Sequence, residues 1–245
     1  MAERLQKWLA GLGYGSRREL ERWITAGRVT VDGEPAELGI RVTGEERIVV
    51  DGKPVRIVNR LQKQRTIIYH KPPGELCSRT DPEGRRTVFD SLPRLRGARW
   101  VTVGRLDYQT TGLLLLTTDG ELANRLMHPS AELEREYSVR VFGDVGEAQI
   151  QQLLEGVELD DGLARFDSLV VTGGQGVNKS CVVTVSEGRN KIVRRLFETI
   201  GCQVSRLLRL RYGPLHLPRQ LREGKYRDVT ADELAALTAI TPKPR

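Results

Sequence analysis

The segment GRLDYQTTGLLLLTTDGELANRLMHPS, residues 104–130, contains the strongest secondary-structure signals of the larger part of the chain. Its first nine residues, 104–112, form a polar loop with glycine at both ends. The apolar run at 113–117 predicts a buried strand, and residues 119–127 predict a short helix. Another strand is predicted at 100–103, so the loop lies between two predicted strands.

Four polar side chains lie together in this loop: Arg105, Asp107, Thr110 and Thr111. Binding and catalytic residues are often carried on loops between rigid strands, which makes Asp107 a candidate for chemistry. An aspartate in a turn more often stabilises the turn through its own side chain. The loop by itself leaves both interpretations open.

The rest of the sequence after residue 65 is rich in strands. Strands are predicted at residues 67–70, 137–142, 165–172, 181–186 and 204–210, and helices at 148–154, 190–200 and 231–237. Alternation in 137–142 places Tyr137, Val139 and Val141 on one face. A tyrosine in such a position is most often a packing residue. Strands mixed irregularly with helices predict an α+β domain, with a mixed or antiparallel sheet flanked by helices.

The first 60 residues predict a separate miniature domain. Leu5, Trp8, Leu9 and Leu12 have helical spacing, and Ser16 with Glu19 forms the sequence signature of a capping box. Two short strands with Asp-Gly turns follow. We therefore expect one domain of helices and a small sheet at 1–60, a basic linker to about 65, and a second domain at 66–245.

Basic residues are concentrated in the N-terminal part of the chain. The chain has 39 Lys+Arg and 32 Asp+Glu, a net charge of +7, and residues 1–65 hold 13 and 9 of these, a net of +4. This favours a small module that binds a polyanion, although an ordinary solvated surface is an equal alternative. The candidate RNA-binding or DNA-binding residues are Arg4, Lys7, Arg17, Arg18, Arg22 and Arg28.

A second basic run covers residues 189–211, with seven basic residues and a single acidic one, Glu198. Charge runs are usually solvated helix faces. Here the run continues from a predicted helix into a predicted strand, and arginine, which suits phosphate contacts, predominates.

Several classes of protein are disfavoured. Cys77, Cys181 and Cys202 are odd in number and widely spaced, which argues against a disulfide framework and against a zinc site. The longest aliphatic run, Leu113 to Leu116, is far too short to span a membrane, and charged residues near the N-terminus argue against a signal peptide. The residues alone predict a nucleic-acid-binding protein of a reducing compartment, and they do not select a reaction.

Five motifs occur in order along the chain: HKPPG at 70–74, the stretch at 104–130, REYSVRV at 135–141, EGRNKIVRRLFETIG at 187–201, and V-x-x-L-x-R-x-x-x-G at 204–213. Together they resemble the RsuA-type branch of the pseudouridine synthases. Residues 3–50 resemble an S4 RNA-binding domain. The fourth motif departs from the commonest pattern, since RNK stands where an aromatic residue or histidine is frequent.

The resemblance implies isomerisation of uridine to pseudouridine in RNA without a metal or a cofactor. The implied partner is ribosomal RNA: large-subunit (23S) rRNA is favoured, and small-subunit (16S) rRNA is the alternative. The protein is expected to be a cytoplasmic monomer without membrane association. A non-catalytic S4-type ribosome assembly factor is a further alternative. A glycosidase or nuclease would ordinarily need a second carboxylate or a metal cluster.

The resemblance also implies roles for individual residues. Asp107 aligns with the essential aspartate, Arg194 with the basic residue beside it, and Tyr137 with the tyrosine that stacks on uracil. A guanidinium near Asp107 would keep a shielded carboxylate ionised. The expected substrate-binding residues are Lys71, which supports the site from beneath, Arg105, which enters the space left by a flipped base, Thr111, Arg195, and Leu207, which packs against the ring.

Overall fold

The computed structural model describes residues 2–56, 64–95 and 97–240 of the 245-residue chain. The chain divides into two compact units. The N-terminal unit comprises Met1–Arg65 with Pro93–Val101 and Thr118–Gly120, and the large unit comprises Thr66–Leu92, Thr102–Thr117 and Glu121–Arg245. Most of the predicted linker, residues 57–63, lies outside the described residues.

The N-terminal unit contains two helices and two small antiparallel sheets. Its elements are β1 (Glu3–Arg4), α1 (Leu5–Gly11), α2 (Arg17–Thr25), β2 (Val29–Val31), β3 (Glu34–Pro35), β4 (Arg41–Val42), β5 (Ile48–Val50) and β6 (Lys53–Pro54). Strand β1 pairs with β4, and the other sheet has the order β3-β2-β5-β6.

Local sequence signals explain this unit. The capping box is confirmed: Ser16 Oγ accepts from the Glu19 amide at 3.1 Å, and Glu19 Oε2 accepts from the Ser16 amide at 3.1 Å. The apolar faces of both helices pack on the sheet to form one buried cluster that includes Leu5, Leu9 and Leu20. The sequence predicts two helices and a small sheet, and the structure has the two helices with two small sheets.

Most strands of the large unit are longer. Its elements are β7 (Thr66–Lys71), β8 (Val101–Val103), β9 (Thr111–Thr117), α3 (Gly120–Met127), β10 (Arg135–Phe142), α4 (Glu147–Glu155), β11 (Val157–Leu159), β12 (Gly162–Ala164), β13 (Ser168–Gln175), β14 (Asn178–Val185), α5 (Ile192–Thr199), β15 (Gln203–Tyr212), β16 (Leu215–His216), β17 (Tyr226–Asp228) and α6 (Ala231–Thr238). Short 3₁₀ turns cover Val88–Ser91 and Pro129–Ala131.

The main sheet has the order β13-β14-β10-β15-β9-β7-β17, with β16 paired to β15 and β8 paired to β9. Strands β15 and β9 are parallel, and β10 is antiparallel to both of its neighbours. The predicted mixed sheet of an α+β domain is thus confirmed. Strand β9 is almost continuously buried, as expected for an apolar strand in the interior of a sheet with both faces covered.

Several strand boundaries differ from the sequence prediction, and two of these differences follow from contacts that the structure shows. Strand β9 begins at Thr111, two residues earlier than predicted, because Thr111 and Gly112 pair with Leu208 and Arg209 of β15. Strand β13 begins at Ser168 rather than at 165, because Phe166 packs instead against Phe197 of α5, with ring centroids 5.3 Å apart. No described helix has the length and apolarity needed to cross a membrane.

Candidate active site

A cavity of about 1090 Å³ opens in the large unit beside the loop at 104–112. Its lining includes Arg105, Asp107, Tyr137, Leu207 and Arg209. The fold therefore brings residues of the second, third and fifth motifs together around one cavity. The cavity also extends to the β11–β12 hairpin, through Leu163 and Ala164.

Lys71 fixes the loop from below. The residue is fully buried at the end of β7, and its Nζ donates to the carbonyl oxygens of Pro72 at 2.9 Å, Thr110 at 3.0 Å and Tyr108 at 3.3 Å. Burial lowers the pKa of Lys71, while the Asp107 carboxylate opposes this shift. Lys71 is absent from the cavity lining, and its bonds hold the backbone of the loop.

Further bonds from the segment after β7 hold the same loop. The Gly74 amide donates to the Tyr108 carbonyl oxygen at 2.9 Å, and the Leu106 amide donates to the Cys77 sulfur at 3.4 Å. The HKPPG motif thus contributes two donors, from Lys71 and Gly74, that converge on Tyr108. Through these bonds the motif contacts a loop that follows it by more than thirty residues in sequence.

Asp107 occupies the turn of the loop. Its carbonyl oxygen accepts from the Thr110 amide at 3.0 Å, and its side chain is half-buried on the cavity wall. Among residues 2–56, 64–95 and 97–240, none forms an ion pair or hydrogen bond with the Asp107 carboxylate. The carboxylate is therefore free to contact whatever enters the cavity.

The expected ion pair between Asp107 and Arg194 is not formed in this structure. Arg194 lies on α5, and its Nη1 donates to the Val204 carbonyl oxygen at 2.8 Å. The helix turns Val193 and Ile192 to the cavity instead. The reason is the amphipathic register of α5, which buries the residues before Arg194 and directs the guanidinium toward β15.

Three adjacent strands arrange the cavity wall. Tyr137 on β10 is the cross-strand partner of Arg209 on β15, and Arg209 is the parallel partner of Gly112 on β9. Val139 and Leu207 form the next pair of β10 and β15 on the same face, two residues along each strand. Since alternate residues share a face, Tyr137, Leu207 and Arg209 point to the same side of the sheet.

Arg209 is the residue that sequence reasoning missed. It lies in the second basic run and is the arginine of the fifth motif, yet the sequence assigns no role to it. Its side chain is 2% exposed, Nε donates to the Leu113 carbonyl oxygen at 2.8 Å, and the guanidinium lies 5.1 Å from the Tyr212 ring centroid. The signal available was its position two residues after Leu207 in a predicted strand, which places both on one face.

Arg195 is held by a salt-bridge cluster outside the cavity lining. Its guanidinium pairs with Asp160 and, at 2.6 Å, with Asp161. The hydrogen bond from Arg195 lowers the pKa of Asp161 to about 2. Because both acidic residues lie at the turn between β11 and β12, Arg195 ties this hairpin to α5 and is not placed to bind substrate directly.

Arg189 also binds the β11–β12 hairpin. We call Arg189 and Arg195, together with Asp160 and Asp161, the hairpin clasp. It donates to the carbonyl oxygens of Gly162 at 2.9 Å and Leu163 at 2.6 Å, and it pairs with Glu187 at 2.6 Å. These bonds fix the hairpin at the edge of the cavity, where Leu163 is 66% exposed.

The remaining predicted substrate-binding residues have different placements. Arg105 and Leu207 line the cavity, the first exposed and the second buried. Thr111 is the first residue of β9, and its hydroxyl donates to the Leu207 carbonyl oxygen at 3.5 Å. Thr110, not Thr111, turns its side chain to the cavity, and its buried hydroxyl has no hydrogen-bond partner among the described residues.

In the N-terminal unit the predicted basic residues fall into two groups. Arg4, Arg17, Arg18 and Arg22 are exposed and form no ion pair with any described residue. Arg28 makes a bidentate contact with Asp51 at 2.7 and 2.6 Å, and Lys7 pairs with Glu3 at 3.6 Å. The first group is free to bind phosphates, whereas Arg28 is largely neutralised.

The site offers a carboxylate, a buried tyrosine, and an apolar wall around a space large enough for a nucleotide. A half-shielded carboxylate with no competing partner can attack carbon covalently. Within the described part of the chain, no cluster of three or more His, Cys, Asp or Glu side chains could hold a metal ion. The unpartnered Asp107 carboxylate supports nucleophilic chemistry, and the Tyr137 ring on the same cavity wall can stack on a planar substrate.

Comparison with known proteins supports this interpretation. The family model for RNA pseudouridylate synthase matches residues 65–199, and the S4 domain model matches residues 3–48. A solved structure described as a pseudouridylate synthase superposes with a TM-score of 0.68 at 27% sequence identity, covering 96% of this chain and 99% of its own.

Relatives named ribosomal large subunit pseudouridine synthase B are similar over the full length. The protein of Vibrio vulnificus (strain CMCP6) is 56% identical over 242 residues, which cover 98% of this chain and 76% of the relative. The protein of Escherichia coli (strain K12) is 53% identical over 247 residues, covering 100% of this chain and 85% of the relative.

Proposed function

Because the chain belongs to the RNA pseudouridylate synthase family, we propose that it converts a uridine of large-subunit (23S) ribosomal RNA into pseudouridine, with Asp107 as the attacking group. The observation that carries this proposal is the Asp107 carboxylate. It lies on the wall of a nucleotide-sized cavity, in a loop that Lys71 holds in place, and no residue in the described part of the chain pairs with it.

The reaction is an isomerisation. The N1–C1′ bond of uridine breaks, the ring turns, a C5–C1′ bond forms, and the C5 proton leaves while N1 gains one. Asp107 attacks at C1′ or at the ring, or assists formation of a glycal. Tyr137 stacks on the base and is placed to move the C5 proton, and Leu207 packs against the ring.

The target base must leave its helix before the chemistry. An unpaired or bulged uridine is extruded at lower free-energy cost than a paired one, which favours a site in a loop or bulge. Arg105 is exposed and lines the cavity, and in this proposal it occupies the space that the base vacates. Arg194 is the proposed cation for Asp107 in the RNA-bound state, once its guanidinium leaves the Val204 carbonyl oxygen.

The two domains have separate tasks in this proposal. Residues 1–60 bind rRNA through the exposed group Arg4, Arg17, Arg18 and Arg22, and residues 66–245 carry out the reaction. The protein acts as a monomer in the cytoplasm, on free rRNA or on an assembling large subunit.

Mapping pseudouridines in rRNA from cells that lack this protein tests the proposal. We expect one or a few 23S positions to lose pseudouridine and to regain it with the wild-type gene. A loss confined to 16S rRNA would assign the small-subunit alternative. No change in either rRNA would support the non-catalytic assembly factor.

A further inference from the structure

Arg209 is a buried cation that the mechanism above does not use. Its Nε–H donates to the Leu113 carbonyl oxygen. Nη2 is buried, and among the residues that the structure describes neither Nη1 nor Nη2 has an acceptor. Burying a charged donor without an acceptor costs free energy, so we look for an acceptor that a bound substrate would bring next to the guanidinium.

The position of Arg209 indicates what that acceptor is. Tyr137, the proposed stacking residue, is its direct neighbour across the β10–β15 pair. Leu207, which packs against the ring, is two residues away on the same face. On the other side lies Gly112, which has no side chain to fill the space between Arg209 and the loop. All of these positions surround the place where the base would lie.

We propose, on the basis of the proposed function, that the terminal nitrogens of Arg209 donate hydrogen bonds to a carbonyl oxygen of the target uracil and stabilise the negative charge on the ring. When the N1–C1′ bond breaks, its electron pair stays on N1 and delocalises onto O2 and O4. The C1′ atom is meanwhile bonded to an Asp107 oxygen or converted to a glycal. Attack of Asp107 on the ring would also place negative charge on it, so the role is independent of the route.

The fixed geometry of Arg209 favours such a role. The bond to Leu113 and the contact with the Tyr212 ring orient the guanidinium before substrate binds. Donors that are already oriented in a water-poor site stabilise developing charge without reorganisation at the moment of reaction. A lysine at this position would keep the charge and lose the planar pair of donors.

The test compares Arg209→Lys and Arg209→Gln with Arg206→Lys, a control on the same strand whose arginine is exposed. Single-turnover rates are measured on the rRNA fragment that the mapping identifies, alongside the Kd for that RNA. We expect both Arg209 variants to be slower by about 10²–10³-fold, as for loss of an oriented donor, with an unchanged Kd and an unchanged rate for Arg206→Lys. Arg209→Lys keeps the stem and the charge, so it remains informative if Arg209→Gln does not fold.

A second measurement separates charge stabilisation from a structural role. The fluorine of 5-fluorouridine stabilises the ring anion, so less stabilisation by Arg209 is needed. With this target nucleoside, the rate of its consumption by wild type divided by the rate for Arg209→Lys should be closer to one than with uridine. The same ratio with uridine and 5-fluorouridine would overturn the proposal, as would wild-type rates in both Arg209 variants. An inactive wild-type protein would instead contradict the proposed function.

Discussion

A Cβ atom added to Gly112 would lie 2.4 Å from the carbonyl oxygen of Arg209, closer than a side-chain atom can approach a backbone. Gly112 also has φ of +108°, a conformation that favours glycine. Gly112 thus lets the end of the Asp107 loop meet strand β15. This contact joins the loop to the strand that carries Leu207 and Arg209.

Gly112→Ala should therefore destabilise the protein and abolish activity. The clash with backbone and the strain at positive φ together predict a loss of about 2–6 kcal/mol in the free energy of unfolding. Denaturant melts measure this loss. Gly120→Ala is the matched control, since nothing lies within 4 Å of the added Cβ and the residue begins a helix. Equal stability of the two variants would contradict the close approach.

Lys71→Met tests whether the buried ammonium positions the loop. Three carbonyl oxygens would lose their donor, but the cost of burying a charge would also disappear, so these effects on stability oppose each other. We expect a modest change in stability and a fall in kcat of about 10²-fold from a displaced Asp107. Lys225→Met, at an exposed lysine, is the control and should keep the wild-type kcat. A wild-type kcat for Lys71→Met would show that Lys71 does not position the loop.

The hairpin clasp predicts a pH-dependent contribution to stability. The folded-state pKa of Asp161 is about 2, below the ordinary value of 3.8, because Arg195 bonds to the ionised form. The stabilisation is therefore present above pH 4 and is lost as the pH falls toward 2. Asp161→Asn should be slightly less stable than wild type at pH 7, and the difference should shrink in acid. A difference that persists unchanged at pH 2.5 would exclude this cause.

RNA binding by the N-terminal unit predicts a change in salt dependence. Arg17 and Arg18 are exposed and unpaired among the described residues, so their joint replacement by Ala should weaken binding. The slope of log K against log salt should fall by about 0.7–0.9 for each lost phosphate contact. Arg28→Ala should change the slope less, because Asp51 already neutralises Arg28. Filter binding over a range of salt concentrations measures this slope. An unchanged slope in the double variant would exclude these contacts.

Local features of the fold were predictable from the sequence. Ser16 and Glu19 cap α2 as their spacing indicates, and the alternation of Tyr137, Val139 and Val141 matches a strand with one buried face. Such features depend on neighbours in sequence. The early start of β9 was not predictable, because it depends on pairing with β15 almost a hundred residues later.

The site was predictable as a set of motifs but not as a set of contacts. The spacing of HKPPG gave no sign that Lys71 points its Nζ at the carbonyls of Tyr108 and Thr110. Alignment suggested Arg194 as the neighbour of Asp107, whereas the register of α5 directs its guanidinium to Val204. Arg209 acquires its position from two cross-strand neighbours, and a linear sequence does not display that relationship.

Turnover by Asp107→Asn shows whether Asp107 performs the isomerisation. The amide keeps the size of the side chain and removes the negative charge, so folding and RNA affinity should be retained. Asp144→Asn, at an exposed aspartate outside the cavity lining, is the control. With rRNA labelled with tritium at C5 of uridine, we expect release from wild type and Asp144→Asn and none from Asp107→Asn. Tritium release by Asp107→Asn at the wild-type rate would contradict the account.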